Sequence, residues 1–168
     1  MKVSILGLPG SGKSALAQMI ASKKGIPHIN IDLFWWEGGG GHNRQTTPNP
    51  DKTQNHVREK VLQAIEVESW VSDGVYPLVQ THIAERADTL VYLRIPLCER
   101  LFNHLARLVN RRGRKDQMTL RADLEFLIEI LKGDTRTVKS IEMLLETFHE
   151  KVVILRSRKE MREWIDSI

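Results

Sequence analysis

The 168-residue chain has one cysteine, Cys98, so it can form no intrachain disulfide. That favours a reducing compartment. Cys98 falls in an expected helix and reads as a small packing residue rather than a nucleophile. No apolar run approaches the ~20 residues of a membrane span, so no membrane partner is expected. Met1-Lys2 leads directly into a short apolar segment without the pattern of a secretory leader, and the expected location is cytoplasmic. There is no internal repeat and no linker, which suits one domain over residues 1–168. Nor is there a large excess of one charge. The net charge of +4 would suit a polyanion such as a nucleotide and is too small to argue for DNA by itself.

What is present is a glycine loop. Gly7-Leu8-Pro9-Gly10-Ser11-Gly12-Lys13-Ser14 satisfies G-x-x-x-x-G-K-[ST] at every fixed position. It follows an apolar run at 2–6 and precedes a helical pattern at 13–24 with Leu16, Met19 and Ile20 on one face. Glycines let backbone N–H groups turn inward around an anion, and a helix N-terminus adds partial positive charge. The expected nucleotide set is Gly7, Leu8, Pro9, Gly10, Ser11, Gly12, Lys13, Ser14 and Ala15. Lys13 can reach the β- and γ-phosphates of ATP, and the Ser14 hydroxyl can ligate Mg²⁺.

Short apolar segments at 2–6, 26–31, 70–73, 89–95 and 151–155 read as strands. Helical spacing marks 13–24, 52–67, 97–112, 120–131, 138–149 and 160–168. Residues 37–50, rich in glycine, proline and polar side chains, read as a mobile acceptor loop. Strands alternating with helices predict a three-layer α/β/α fold around a five-stranded parallel sheet.

Ligands of open α/β sheets bind at the carboxyl ends of the strands. There the sequence places the glycine loop, Asp32, Asp73 with Gly74, and Arg156-Ser157-Arg158. This is a phosphoryl-transfer inventory: a lysine, a hydroxyl, carboxylates for a metal or base, and arginines for developing charge. Asp73 reads as a Mg²⁺ ligand, direct or through water, with a turn-opening aspartate as the alternative. Asp32 reads equally as a base for an acceptor hydroxyl or as a helix or turn cap. Arg107, Arg111 and Arg114 share a helix face if the helix continues, opposite an apolar stripe of Leu97, Leu101, Leu105 and Leu108. They read as a lid closing on nucleotide phosphates or as a solvated basic surface.

The arrangement resembles the adenylate kinase-like P-loop kinases. R-L-V-N-R-R at 107–112 looks like the start of that family's lid, here about 107–118, and S-D-G-V-Y-P at 72–77 looks like its D-G-F-P-R segment. The likeness implies that Arg107 stacks on the ATP adenine and that Arg111 acts on its phosphates. More closely, the chain resembles the small kinase-like DNA topology modulation proteins. The shared segments are the glycine loop, H-I-N-I-D-L-F-W-W at 28–36, W-V-S-D-G-V-Y at 70–76, E-R-A-D-T-L-V-Y-L at 85–93 and V-V-I-L-R-S-R at 152–158. That resemblance implies the five-stranded fold and ATP binding.

Three departures fall on the acceptor side. Pro77-Leu78 stands where relatives carry an arginine, Arg94 stands where the fourth strand often ends in an acid, and four consecutive glycines are expected to loosen the acceptor loop. The resulting expectation is an ATP-dependent kinase with Lys13, Arg111 and Asp32 in catalysis, Arg107, Arg156 and Arg158 on the nucleotide, and Ser14 and Asp73 on Mg²⁺. The acceptor expected first is a nucleoside or nucleoside monophosphate. The alternative is an ATP-binding regulator associated with DNA topology, without robust turnover. Nucleic acid is the less favoured partner because the basic residues gather at the lid. A guanine-reading N-K-x-D motif is missing, which argues against a GTPase. Monomer and dimer both fit.

Overall fold

The computed structural model describes residues 1–41, 46–110, 127–128, 130–131 and 135–168, with residues 107–110 and 135–136 as backbone only. Its strands are β1 (Lys2–Gly7), β2 (His28–Asn30), β3 (Trp70–Asp73), β4 (Thr89–Leu93) and β5 (Val152–Leu155). They form one sheet in the order β2-β3-β1-β4-β5, with every neighbouring pair parallel. The helices among the described residues are α1 (Lys13–Lys24), α2 (Ile31–Glu37), α3 (Pro50–Ala64), α4 (Pro77–Arg86), α5 (Leu97–Asn110), α6 (Thr135–Thr147) and α7 (Arg158–Ser167).

Parallel strands need crossovers, and the helices supply them on both faces. The strand period of two divides the core accordingly. Val3 and Ile5 join Leu16, Ala17 and Ile20 of α1 and Met161 and Ile165 of α7 in one apolar cluster. Leu6, Trp70 and Leu90 join Val57 and Val61 of α3, Ile83 of α4 and Leu144 of α6 in the other. Two separate clusters with the sheet between them give the three layers expected from the sequence. With β1 central, the glycine loop leaves the middle of the sheet. Asp73 at the end of β3 and Asn30 at the end of β2 are register partners beside it.

Several boundaries differ from the sequence reading, each for a local reason. The second strand stops at Asn30 because Asn30 caps α2: its Oδ1 accepts the Leu33 N–H at 3.3 Å. Helix α3 begins at Pro50, not 52, because Asn49 Oδ1 accepts the Lys52 N–H at 3.0 Å and proline suits a first helical position. Helix α4, absent from the sequence reading, also starts on a proline, Pro77, and buries Val79, Gln80, Ile83 and Ala84. Helix α7 begins at Arg158 through a capping box in which Ser157 Oγ accepts the Glu160 N–H at 3.2 Å.

Of the apolar stripe expected on α5, Leu97 and Leu105 are exposed and Leu101 is half-buried, whereas Arg100 and His104 are buried; the Leu108 side chain lies outside the described parts. In the described part of the loop expected at 37–50, Gly40 and Gly41 pack closely, while Gly39 has open space around it. A Cβ on Gly40 would fall inside the Trp35 indole, and one on Gly41 would meet Thr46 O at 2.5 Å. These glycines serve close approach rather than looseness. The expected lid at about 107–118 and most of the helix expected at 120–131 lie outside the described residues or side chains.

Candidate active site

The site grows from the turn between β1 and α1. Gly10 and Gly12 take φ of 80° and 92°, a left-handed conformation that only glycine adopts without strain. Ser11 N–H donates to Leu8 O at 3.1 Å and closes the turn. Gly12 caps α1 with no side-chain hydrogen bond, so the first-turn N–H groups of the helix remain available to an anion. Lys13 is half-buried, and its Nζ donates to Leu8 O at 3.2 Å, which holds the ammonium along the loop. Ser11 Oγ is buried without a hydrogen-bond partner, a polar atom with unused capacity inside the loop.

Asp73 ends β3 and is 1% exposed. Its carboxylate accepts hydrogen bonds from the Ser14 hydroxyl and from His28 Nε2, the latter at 2.7 Å. The residues expected to hold Mg²⁺ are thus in direct contact, one a hydroxyl and one a carboxylate. Hard oxygen donors of this kind suit Mg²⁺, which keeps most of its waters and takes further oxygens from phosphates. The described residues contain no group of three or more His, Cys, Asp or Glu side chains that could cage a metal alone.

Asp32 lies in the first turn of α2, but Asn30 is the cap. The Asp32 Oδ1 accepts the Tyr76 hydroxyl at 3.1 Å. Asp32 stands at the solvent edge of the site, yet the protein around its carboxyl raises its pKa above the ordinary aspartate value. The Tyr76 hydrogen bond and the Lys13 charge pull it back, and the nearby Asp73 charge pushes the same way as burial. Tyr76 is itself raised, by burial first and then by Asp32, so it remains a protonated donor. Trp35 completes this side: its Nε1–H donates to Gly41 O at 2.8 Å, and its ring centre lies 6.0 Å from that of Tyr76. Val75 and Pro77, flanking Tyr76, help line a cleft of about 240 Å³ with Gln80, Ser140, Ile141 and Leu144.

The remaining expected residues are distributed unevenly. Arg156 is exposed, and its backbone N–H donates to Glu160 Oε2 at 2.8 Å. Arg158 Nη2 donates to Asn103 Oδ1, and its guanidinium lies over the Phe102 ring at 6.0 Å. The Arg107 side chain and all of Arg111 are outside the described parts. Sequence reasoning missed Tyr76, His28, Arg100 and Asn103 as site residues. Tyr76 and His28 had a signal, since each lies within a segment flanking a candidate aspartate. Arg100 and Asn103 had little, because a polar residue on a helix gives no indication that it packs beneath a loop more than ninety positions earlier.

No family model matches the chain, and no curated protein matches it. Among solved structures, shikimate kinase from Bacteroides thetaiotaomicron aligns over 99% of this chain and 95% of that chain, with TM-score 0.58 and 16% identity. The chain therefore shares the fold of that kinase, a parallel five-stranded sheet flanked by helices. The comparisons do not point to the DNA topology modulation proteins.

Proposed function

We propose that this protein is an ATP-dependent kinase that phosphorylates a hydroxyl of a small molecule. The observation that carries this reading is the convergence of Lys13, the Ser14–Asp73 contact and Asp32 at the carboxyl ends of adjacent strands. Asp32 is the base in this reading, supported by its raised proton affinity and by the Tyr76 hydroxyl that holds one of its oxygens, with the acceptor proton going to the other. The acceptor oxygen forms a bond to the γ-phosphorus, the bond from that phosphorus to the β,γ-bridging oxygen breaks, and ADP leaves. The acceptor proton passes to Asp32. Lys13 and the loop N–H groups hold the β- and γ-phosphates in line. Ser14 and Asp73 would hold Mg²⁺, which supplies charge neutralisation at the phosphates. Arg107 on the adenine and Arg111 on the transferring phosphoryl remain assignments of this reading, as do Arg156 and Arg158 on the nucleotide.

The acceptor class favoured by the sequence resemblance is a nucleoside or nucleoside monophosphate. The fold neighbour acts on shikimate by its name, so a cyclic polyol acid belongs in the same test. ADP release should be measured with Mg²⁺-ATP against nucleosides, nucleoside monophosphates, shikimate and small polyols. At least one acceptor should raise turnover by about tenfold or more over the ATP-only rate, with the gain lost in Lys13→Ala. A protein that binds no ATP, or whose ATP consumption no hydroxylated acceptor changes, would rule out the kinase reading.

A further inference from the structure

The outer side of the phosphate loop is braced by a helix that the mechanism has not yet used. Arg100 on α5 is 6% exposed. Its Nε–H donates to Pro9 O at 2.9 Å, and its Nη2 donates to Ile130 O at 3.1 Å. One turn along, Asn103 Nδ2 donates to Gly10 O at 2.9 Å, while its Oδ1 accepts from Arg158. The backbone approach is close as well: a Cβ on Gly10 would sit 2.8 Å from Arg100 O. The N-terminal part of α5 therefore rests directly on the apex of the loop.

This contact has a chemical logic. For loop N–H groups to converge on an anion, the same peptide planes must turn their carbonyls outward. Outward carbonyls pointing into protein need donors. Pro9 O, on the peptide that carries the Gly10 N–H, receives Arg100, and Gly10 O receives Asn103. Arg100 also brings a buried charge whose described hydrogen bonds all end on carbonyls. Burial is the leading influence on it and works against its charge, lowering its pKa. A buried guanidinium is costly, and a nearby anion offsets that cost.

We propose that Arg100 and Asn103 are positioning residues of the nucleotide site: they hold the loop in its anion-receiving form, and the Arg100 charge is completed by bound phosphate. The proposal rests on the reading that the loop binds a polyphosphate. It also makes Arg158 part of this brace through Asn103.

The test is calorimetric binding of ATP and of inorganic tripolyphosphate to the wild type, Asn103→Ala, Arg100→Lys and Arg100→Met, with the melting temperature of each variant. Asn103→Ala and Arg100→Lys should weaken both ligands by about tenfold, since each removes a loop hydrogen bond. Arg100→Met should weaken tripolyphosphate further than Arg100→Lys, which keeps the charge. If Arg100→Met does not fold, Asn103→Ala, whose side chain is only half-buried, decides the matter. Folded Asn103→Ala and Arg100→Lys that bind tripolyphosphate within twofold of wild type overturn the proposal. So does a change in melting temperature alone, or a loss seen with ATP and not with tripolyphosphate. A wild type that binds neither ligand overturns the kinase reading instead.

Discussion

The Tyr76 hydroxyl donates to Asp32 Oδ1 at 3.1 Å, joining the start of α4 to the first turn of α2. Burial raises the Asp32 pKa, and this hydrogen bond is the larger of two influences opposing the rise. A base must be deprotonated to act, so turnover should climb as pH rises through the Asp32 pKa. Tyr76→Phe removes an influence that lowers that pKa. The acidic limb of the kcat profile should therefore move to higher pH, and turnover below neutral pH should fall by about three- to tenfold. A limb that stays in place in Tyr76→Phe would detach the tyrosine from the base.

Asp73 accepts from both Ser14 and His28 while almost fully buried. Asp73→Asn keeps the size of the side chain and removes the charge. The Mg²⁺ concentration needed for half-maximal turnover should rise by about tenfold or more, with ATP affinity measured without metal changing less. Titrating Mg²⁺ against both proteins checks this. Unchanged metal dependence would shift the metal role away from β3.

The Trp35 indole lies against Gly40 and donates to Gly41 O at 2.8 Å. An alanine at position 40 cannot share that space with a rigid ring. Gly40→Ala should cost about 1–3 kcal/mol of stability and alter the tryptophan emission. Denaturant unfolding followed by fluorescence reads both. A variant as stable as wild type with unchanged emission would mean that the glycine run is spacing and not packing.

How much of this was legible in the sequence depends on the range of the interaction. The glycine loop, five short apolar strands and the acids at their ends are local patterns, and Lys13, Ser14, Asp32 and Asp73 follow from them. Helix α4 was hidden because Pro77 looked like the end of a turn segment, whereas it is a first helical residue. The α5 stripe misled because leucines at 97, 101 and 105 keep helical spacing whichever way the helix faces. The loop's carbonyls drew Arg100 inward, and Leu97 and Leu105 were left outside. The four glycines read as freedom because sequence does not show that an indole lies against one of them.

Lys13 acts on two parts of the site at once. Its ammonium is held by Leu8 O at 3.2 Å, where it can neutralise nucleotide phosphates, and its charge also lowers the Asp32 pKa. Lys13→Ala should therefore leave two signatures. The first is loss of productive ATP binding, with turnover down by about 10³-fold, or about 4 kcal/mol of transition-state stabilisation. The second is a rise in the Asp32 pKa, opposite in sign to the effect of any added positive charge. The two can be read separately, the first by calorimetry and the second by NMR titration of carbon-labelled aspartate without nucleotide. Tyr76→Phe should move Asp32 in the same direction while leaving ATP affinity close to wild type. If Lys13→Ala weakened ATP but left Asp32 where it was, the two residues would not share a site, and the base would have to be sought elsewhere on the acceptor side.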